Sequence, residues 1–223
     1  MKKIIIIAQA RLTSKRFPGK VLKKIKNKSL IEILHLRLSK SKFIDHFIFA
    51  IPNNYKNLKL KNFLKKKRFN FEQGPEKNVL KRFFLISKKI KPDIIIRVTC
   101  DCPLVDRLIL EKMIKKFIRL SKVEYMSNTT ITKNKYPDGT DIEIFSYNAL
   151  KKAYKKSSTS YEKEHVTPYI QKNFKAYAFE SNINYSNKRC TVDTPKDLEN
   201  IKKILSKFKY DFTVGYNKII KNL

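Results

Sequence analysis

Apolar residues sit on successive positions at the start of this chain, in Ile4–Ala8, and again in the "DIIIRV" stretch at 93–98. A strand apolar on successive residues is buried on both faces, as in a parallel sheet. The pattern predicts strands over Lys3–Ala8, His46–Ile51 and Phe69–Glu72, and over the "DIIIRV" stretch. Helices are predicted between them, over Leu30–Ser39, Leu58–Lys67, Asn78–Lys89 and Leu108–Leu120. Ser29-x-x-Glu32 reads as a capping box for the first helix. Alternation of this kind predicts an α/β fold with a mostly parallel, doubly wound sheet and right-handed crossovers.

After Val123–Met126 the rhythm changes. Residues 128–140 are polar and contain the turn "YPDG", and "DIEIF" alternates as a half-exposed strand would. Helices follow over Asn148–Lys155 and Glu162–Lys172. "TVDTPKDLE" reads as a late strand ending at Asp193, then a helix with Thr194 as N-cap, Pro195 at N1 and Asp197 at N3. No repeat or Gly/Ser linker divides the 223 residues, so one domain over 1–223 is expected.

Composition changes this picture little. The chain carries 51 basic and 19 acidic residues, a net charge of +32. Such a charge alone points to nucleic acid. Yet only nine of the 51 are Arg, and base readout and phosphate forks favour Arg. The excess is Lys, in the company of Asn and Ile, which A/T-rich codons alone produce. Nucleic acid is therefore discounted as the partner. The basic run Lys56–Arg68 carries Leu58, Leu60, Phe63 and Leu64 between its cations and reads as a solvated helix face over an apolar stripe. No apolar run approaches 18 residues, so no membrane insertion is expected. The first apolar stretch is too short for a signal peptide, and a cytoplasmic protein is expected. Three cysteines give neither a disulfide framework nor a zinc signature.

Candidate chemistry gathers where strands end, because ligands of open α/β sheets bind beyond their carboxyl ends. After the first strand, Gln9–Lys20 carries Arg11, Lys15, Arg16 and Lys20 with the hydroxyls of Thr13 and Ser14. It has neither Walker A nor Rossmann spacing. Its cations can still wrap a triphosphate, and Pro18-Gly19 would turn Lys20 back toward it. Asp101 follows "IIIRVTC" and Asp193 follows "RCTV", so both carboxylates are placed at the same edge. Such a pair suits Mg²⁺ bridging phosphates. His165, beside Glu164, is balanced between a structural and a functional role, and Cys100 and Cys102 are expected to pack without reacting.

Five segments in order carry a resemblance: "QARLTSKRFPGKVL", "RVTCDCPLVD", "YPDGTDIEIF", "EKEHVTPYI" and "RCTVDTPKDLE". Together they resemble the spore-coat polysaccharide biosynthesis cytidylyltransferase-like family, relatives of CMP-Kdo and CMP-sialate synthetases. The resemblance spans nearly the whole chain. It implies a nucleotide-diphospho-sugar-transferase fold with one antiparallel strand, and a small β-arm, placed at about 128–147, that serves the acceptor and a homodimer. It implies CTP and a small acidic acceptor as substrates, with Mg²⁺ as cofactor. By resemblance, Arg11, Ser14, Arg16 and Lys20 match phosphate-contacting positions, with Arg11, Arg16 and Lys20 carrying catalysis. Ala8, Ala10, Arg82 and Thr99 complete the expected nucleotide site, and Asp101 and Asp193 the metal pair. Asp138, Asp141, Glu143 and His165 are the expected acceptor residues. Two positions depart from the family: Cys100 replaces a Gly, and "EKNVLKR" replaces a more acidic stretch. A glycosyltransferase using a ready-made nucleotide sugar, a non-enzymatic nucleic-acid-binding module, and a degenerate, non-catalytic relative suggested by Cys100 remain the alternatives from sequence.

Overall fold

The computed structural model describes residues 2–129 and 135–223. The first strand, β1 (Ile4–Gln9), is followed by a two-residue hairpin, β2 (Lys24–Ile25) and β3 (Lys28–Ser29), and by α1 (Leu30–Leu38). Regular alternation continues through β4 (His46–Pro52), α2 (Leu58–Lys66), β5 (Phe71–Gly74), α3 (Val79–Ile90), β6 (Ile94–Thr99) and α4 (Arg107–Arg119). Then come β7 (Tyr125–Ser127), β8 (Glu143–Ser146), α5 (Tyr147–Lys156), α6 (Ser160–His165), α7 (Pro168–Asn173), β9 (Ala176–Ala178), α8 (Pro195–Ser206) and α9 (Tyr216–Ile220).

The main sheet has seven strands in the order β5-β4-β1-β6-β8-β7-β9. Strand β8 runs antiparallel to both neighbours, and the other pairings are parallel. Side chains of β1 explain its unbroken isoleucines. Ile4, Ile6 and Ala8 enter a core shared with Leu34 of α1, Leu64 of α2 and Leu110 of α4. Ile5 and Ile7 enter the opposite core, with Phe83 of α3 and Leu150 of α5. Helices thus cover both faces, the doubly wound arrangement expected. A third cluster joins Ile33 to Val192, Ile201 and Ile219 and clamps the C-terminal helices to the body.

The capping box at Ser29 forms, with the Glu32 carboxylate accepting the Ser29 N–H at 2.8 Å. Three expectations are corrected. "DIEIF" is not half-exposed: Glu143, Ile144 and Phe145 are buried because β8 lies between β6 and β7. Residues 143–146 of the span expected as an arm over about 128–147 are thus a sheet strand, and residues 130–134 of it lie outside those described. The helix expected over Glu162–Lys172 is two helices, α6 and α7, because Val166 at φ 71° ends the first, and Pro168, which has no N–H to continue it, stands at the start of the second. Residues 190–193 form no regular strand. Their backbone N–H groups bond loops instead, Cys190 to Asp138 O at 2.6 Å and Val192 to Asp101 O at 2.8 Å.

Candidate active site

A cleft of about 530 Å³ opens at the carboxyl edge of β1 and β6. That volume lies within the range of small-ligand sites. Gln9, Ala10, Arg11, Ser14, Arg16 and Lys20 line one side, Thr99, Cys100 and Asp101 the floor, and Arg82, Glu164, His165 and Asp193 the remaining walls.

The cationic loop is braced at both ends. Gly19 N–H bonds Leu12 O at 2.8 Å and closes it. Gly19 has φ 71°, a left-handed conformation that glycine adopts without penalty, and the chain turns so that Lys20 heads inward. Leu12 N–H is held by Asn57 Oδ1 at 2.8 Å, and the Thr13 hydroxyl donates to Glu76, which also accepts from Asn54. Sequence reading did not single out Asn54, Asn57 or Glu76. Their role comes from contacts across tens of residues.

Lys20 is the hub. Its ammonium donates to Asp101 Oδ2 at 2.6 Å and to Asp193 Oδ1 at 2.8 Å. The other oxygen of Asp193 takes Arg16 at 2.9 Å and Arg189 at 2.5 Å. Arg189, also missed from sequence, reaches back to Asp138, whose second oxygen accepts from Thr191 at 2.8 Å. Burial works against the charge on Lys20, but Asp101 and then Asp193 outweigh it and raise its pKa. Burial likewise opposes the charge on Asp193, and Lys20, Arg189 and Arg16 together hold its carboxyl below the ordinary range. The start of α8 fixes Asp193: the Asp197 carboxylate accepts from its N–H at 2.9 Å and from Thr194 N–H at 2.8 Å.

Arg82 is buried behind the loop, with Nη1 donating to Pro75 O at 2.7 Å while Nε has no partner. Burial, and then the neighbouring charge of Arg11, push its pKa down to about 10. Two cations that repel across a cleft both gain from an anion between them.

On the far wall Arg11 pairs with Glu164 at 3.5 Å, and the His165 ring lies 4.4 Å from that of Tyr161. The next residue, Val166, has φ 71° and ψ −53°, and Thr167 N–H bonds His165 O at 2.8 Å. That is a γ-turn on a β-branched residue, a strained conformation held by the burial of Val166. It ends α6 with His165 on the cleft.

Other expected site residues lie elsewhere. Ala8 is in the core beneath the cleft. Glu143 is buried, accepting from Arg97, Tyr125 and Thr167, away from the cleft lining. Asp141 accepts from Gly139 N–H at 3.1 Å, and burial raises its pKa. Burial also holds the thiols of Cys100 and Cys102 well above the ordinary range, as unreactive groups.

An open α/β sheet with a cationic cleft at its carboxyl edge, and two aspartates bridged by a lysine inside it, is the architecture of an enzyme that handles nucleoside phosphates. The sequence matches the model of one such family, Cytidylyltransferase, over residues 5–219. The chain belongs to that family and is a CTP-dependent nucleotidyltransferase. It is 32% identical over 219 residues to the spore coat polysaccharide biosynthesis protein SpsF of Bacillus subtilis, covering 93% of this chain and 88% of that one. A cytidylyltransferase from Leptospira borgpetersenii superposes with a TM-score of 0.92 at 29% identity, covering 99% of this chain and 93% of the other. The CMP:2-keto-3-deoxy-manno-octonic acid synthetase, solved with CTP, shares the fold at a TM-score of 0.70 and 16% identity, covering 92% and 99%. No helix among the described residues is long and apolar enough to cross a membrane.

Proposed function

We propose that the protein transfers CMP from CTP to an acidic sugar or related small acid and releases pyrophosphate, in the synthesis of a surface polysaccharide. The observation that carries this reading is the convergence of Asp101, Asp193 and Lys20 at the base of a cleft rimmed by Arg11, Arg16 and Arg82. The sugar-acid synthetase and the spore-coat relative support the choice of acceptor.

In this mechanism the triphosphate lies in the Gln9–Lys20 loop. Guanidinium forks of Arg11 and Arg16 and the ammonium of Lys20 bind its oxygens. An acceptor oxygen attacks the α-phosphorus in line, and pyrophosphate departs toward Arg16 and Lys20. His165 faces the acceptor from the α6 wall. Positioning and charge neutralisation supply most of the rate. Mg²⁺ belongs to the same proposal. Among the described residues no group of three or more His, Cys, Asp or Glu could hold a metal. Mg²⁺ needs only one or two carboxylates beside substrate phosphates, and here two carboxylate oxygens converge on one point. Asp101 and Asp193 would hold it, and when bound it would neutralise charge on the phosphate oxygens. The homodimer and the cytoplasmic setting expected from sequence belong to this reading too.

The test is pyrophosphate release from CTP and Mg²⁺ with a panel of sugar acids. Release with at least one acceptor, lost in Asp101→Asn, is expected. No release with any acceptor, together with nucleoside diphosphate released from a sugar nucleotide, would overturn it. Light scattering reads the dimer.

A further inference from the structure

Lys20 stands where a metal would have to stand. One Nζ contacts an oxygen of each carboxylate, and the side chain is only 8% exposed. The second oxygen of Asp193 is already taken by Arg16 and Arg189. The short turn that opens at Gly19 fixes where Lys20 leaves the backbone, with Lys20 N–H on Phe17 O at 3.2 Å and Lys23 N–H on Lys20 O at 2.9 Å. Only the side chain of Lys20 is free to move. The same cleft is lined by Arg11, Ser14 and Arg16, and the Glu164 carboxylate on its far wall is paired with Arg11.

We infer that Lys20 is a built-in counter-cation that keeps a divalent metal out of the Asp101–Asp193 pair until a triphosphate draws the ammonium away. The inference rests on the proposed reading that these two aspartates hold the metal. The physics is an exchange of partners. Without nucleotide, an ammonium held by two carboxylates cancels one of their two charges and fills the point between them. A triphosphate offers Lys20 and Arg16 several anionic oxygens in the adjacent loop. Once Lys20 turns to them, Asp101 loses its ammonium partner and Asp193 keeps cations only on its opposite oxygen, so the two oxygens that Lys20 held are open to a divalent cation. Metal and nucleotide then bind with positive coupling, and the coupling is reciprocal. A site built this way does not trap divalent ions when nucleotide is scarce. Arg189 is excluded from the exchange because it lies on the opposite oxygen of Asp193 and is tied to Asp138.

The experiment is titration of the nucleotide-free protein with MnCl₂ alone, reading free Mn²⁺ by electron paramagnetic resonance. Wild type and Lys20→Arg, which keeps a cation on the pair, are expected to bind Mn²⁺ weakly. Lys20→Met should bind it at least tenfold more tightly, and adding Asp101→Asn should abolish that gain. Lys20→Gln replaces Lys20→Met if the latter melts below assay temperature. Equal Mn²⁺ affinity in wild type and both neutral variants would overturn the inference. A separate arm measures CTP binding to wild type with and without Mg²⁺. Indifference to Mg²⁺ there would overturn the metal reading itself, whereas Mg²⁺-dependent CTP binding with no gain in the neutral variants would overturn only the gate.

Discussion

Two ion-pair clusters sit at one end of the same sheet, and they are built to opposite ends. Arg97 and Glu143 face each other across β6 and β8, and every group around them is spoken for. Glu143 takes Arg97, Tyr125 and Thr167, and Arg97 Nε donates to Gln9 Oε1 at 3.1 Å. Lys20, Asp101 and Asp193 use the same chemistry but open onto a cleft, and the Asp101 side chain is 27% exposed. A closed pair in low dielectric cannot change partners without leaving a charge stranded. An open one can, because water and ligand oxygens are within reach. The difference separates a pair that holds strands together from a pair able to do chemistry.

The sharpest way to break this comparison is to unpair the closed cluster. Glu143→Ala strands the Arg97 guanidinium, and the expected loss is ~3–5 kcal/mol of folding stability. Urea denaturation checks it. A variant that unfolds normally but shows a raised acceptor KM would place Glu143 in the acceptor site instead. In the open cluster the order should reverse, with activity suffering more than stability. Asp101→Asn should slow turnover by roughly 10²–10³-fold, by analogy with loss of one transition-state donor, with little change in melting temperature. The double change Asp101→Asn/Asp193→Asn should cost far less than the product of the single effects, because both act on one ion. Steady-state pyrophosphate release decides this, and full activity in Asp101→Asn would end the assignment.

A smaller effect is expected at the rim. Arg16→Ala removes a cation that exchanges between Asp193 and the triphosphate. It should weaken CTP binding by ~1.5–3 kcal/mol and leave the fold unchanged, as calorimetric titration would show. The smallest effect is in pH. Asp193 has its carboxyl held below the ordinary 3.8, so the stability it contributes is full above that value. That contribution is lost as pH falls through the lower folded pKa. The melting-temperature gap between wild type and Asp193→Asn should therefore close below about pH 3.8. A gap that stays constant to lower pH would mean that the carboxylate is not stabilised by its cations.

Local signals in the sequence were reliable where local physics decides. The apolar run of β1 and the caps at Ser29 and Thr194 each depend on a few neighbouring residues, and each formed. The Asp101 carboxylate and the loop at 9–20 could be placed at one edge from strand order alone, whereas Asp193 reaches that edge from a loop and not from the strand expected to end there. Partner-dependent features were not readable. The alternation of "DIEIF" looks half-exposed until Arg97, from a distant strand, pairs with its Glu143. Lys20 as a bridge, and Arg189 and Asn57 as braces, depend on contacts spanning more than 40 residues. The break between α6 and α7 did have a signal, in Pro168, but the γ-turn on Val166 had none.

Strand β8 has a consequence beyond the packing it provides. A strand that runs with its neighbours delivers to the cleft whatever follows it in the chain, as β1 delivers the Gln9–Lys20 loop. A strand reversed among them delivers what precedes it. Arg97, near the carboxyl end of β6, stands beside Glu143, the first residue of β8. The segment before Glu143 therefore comes to the same edge, where Asp138 meets Arg189. One inverted strand thus brings two separate stretches of chain, 9–20 and 135–142, to one edge of the sheet.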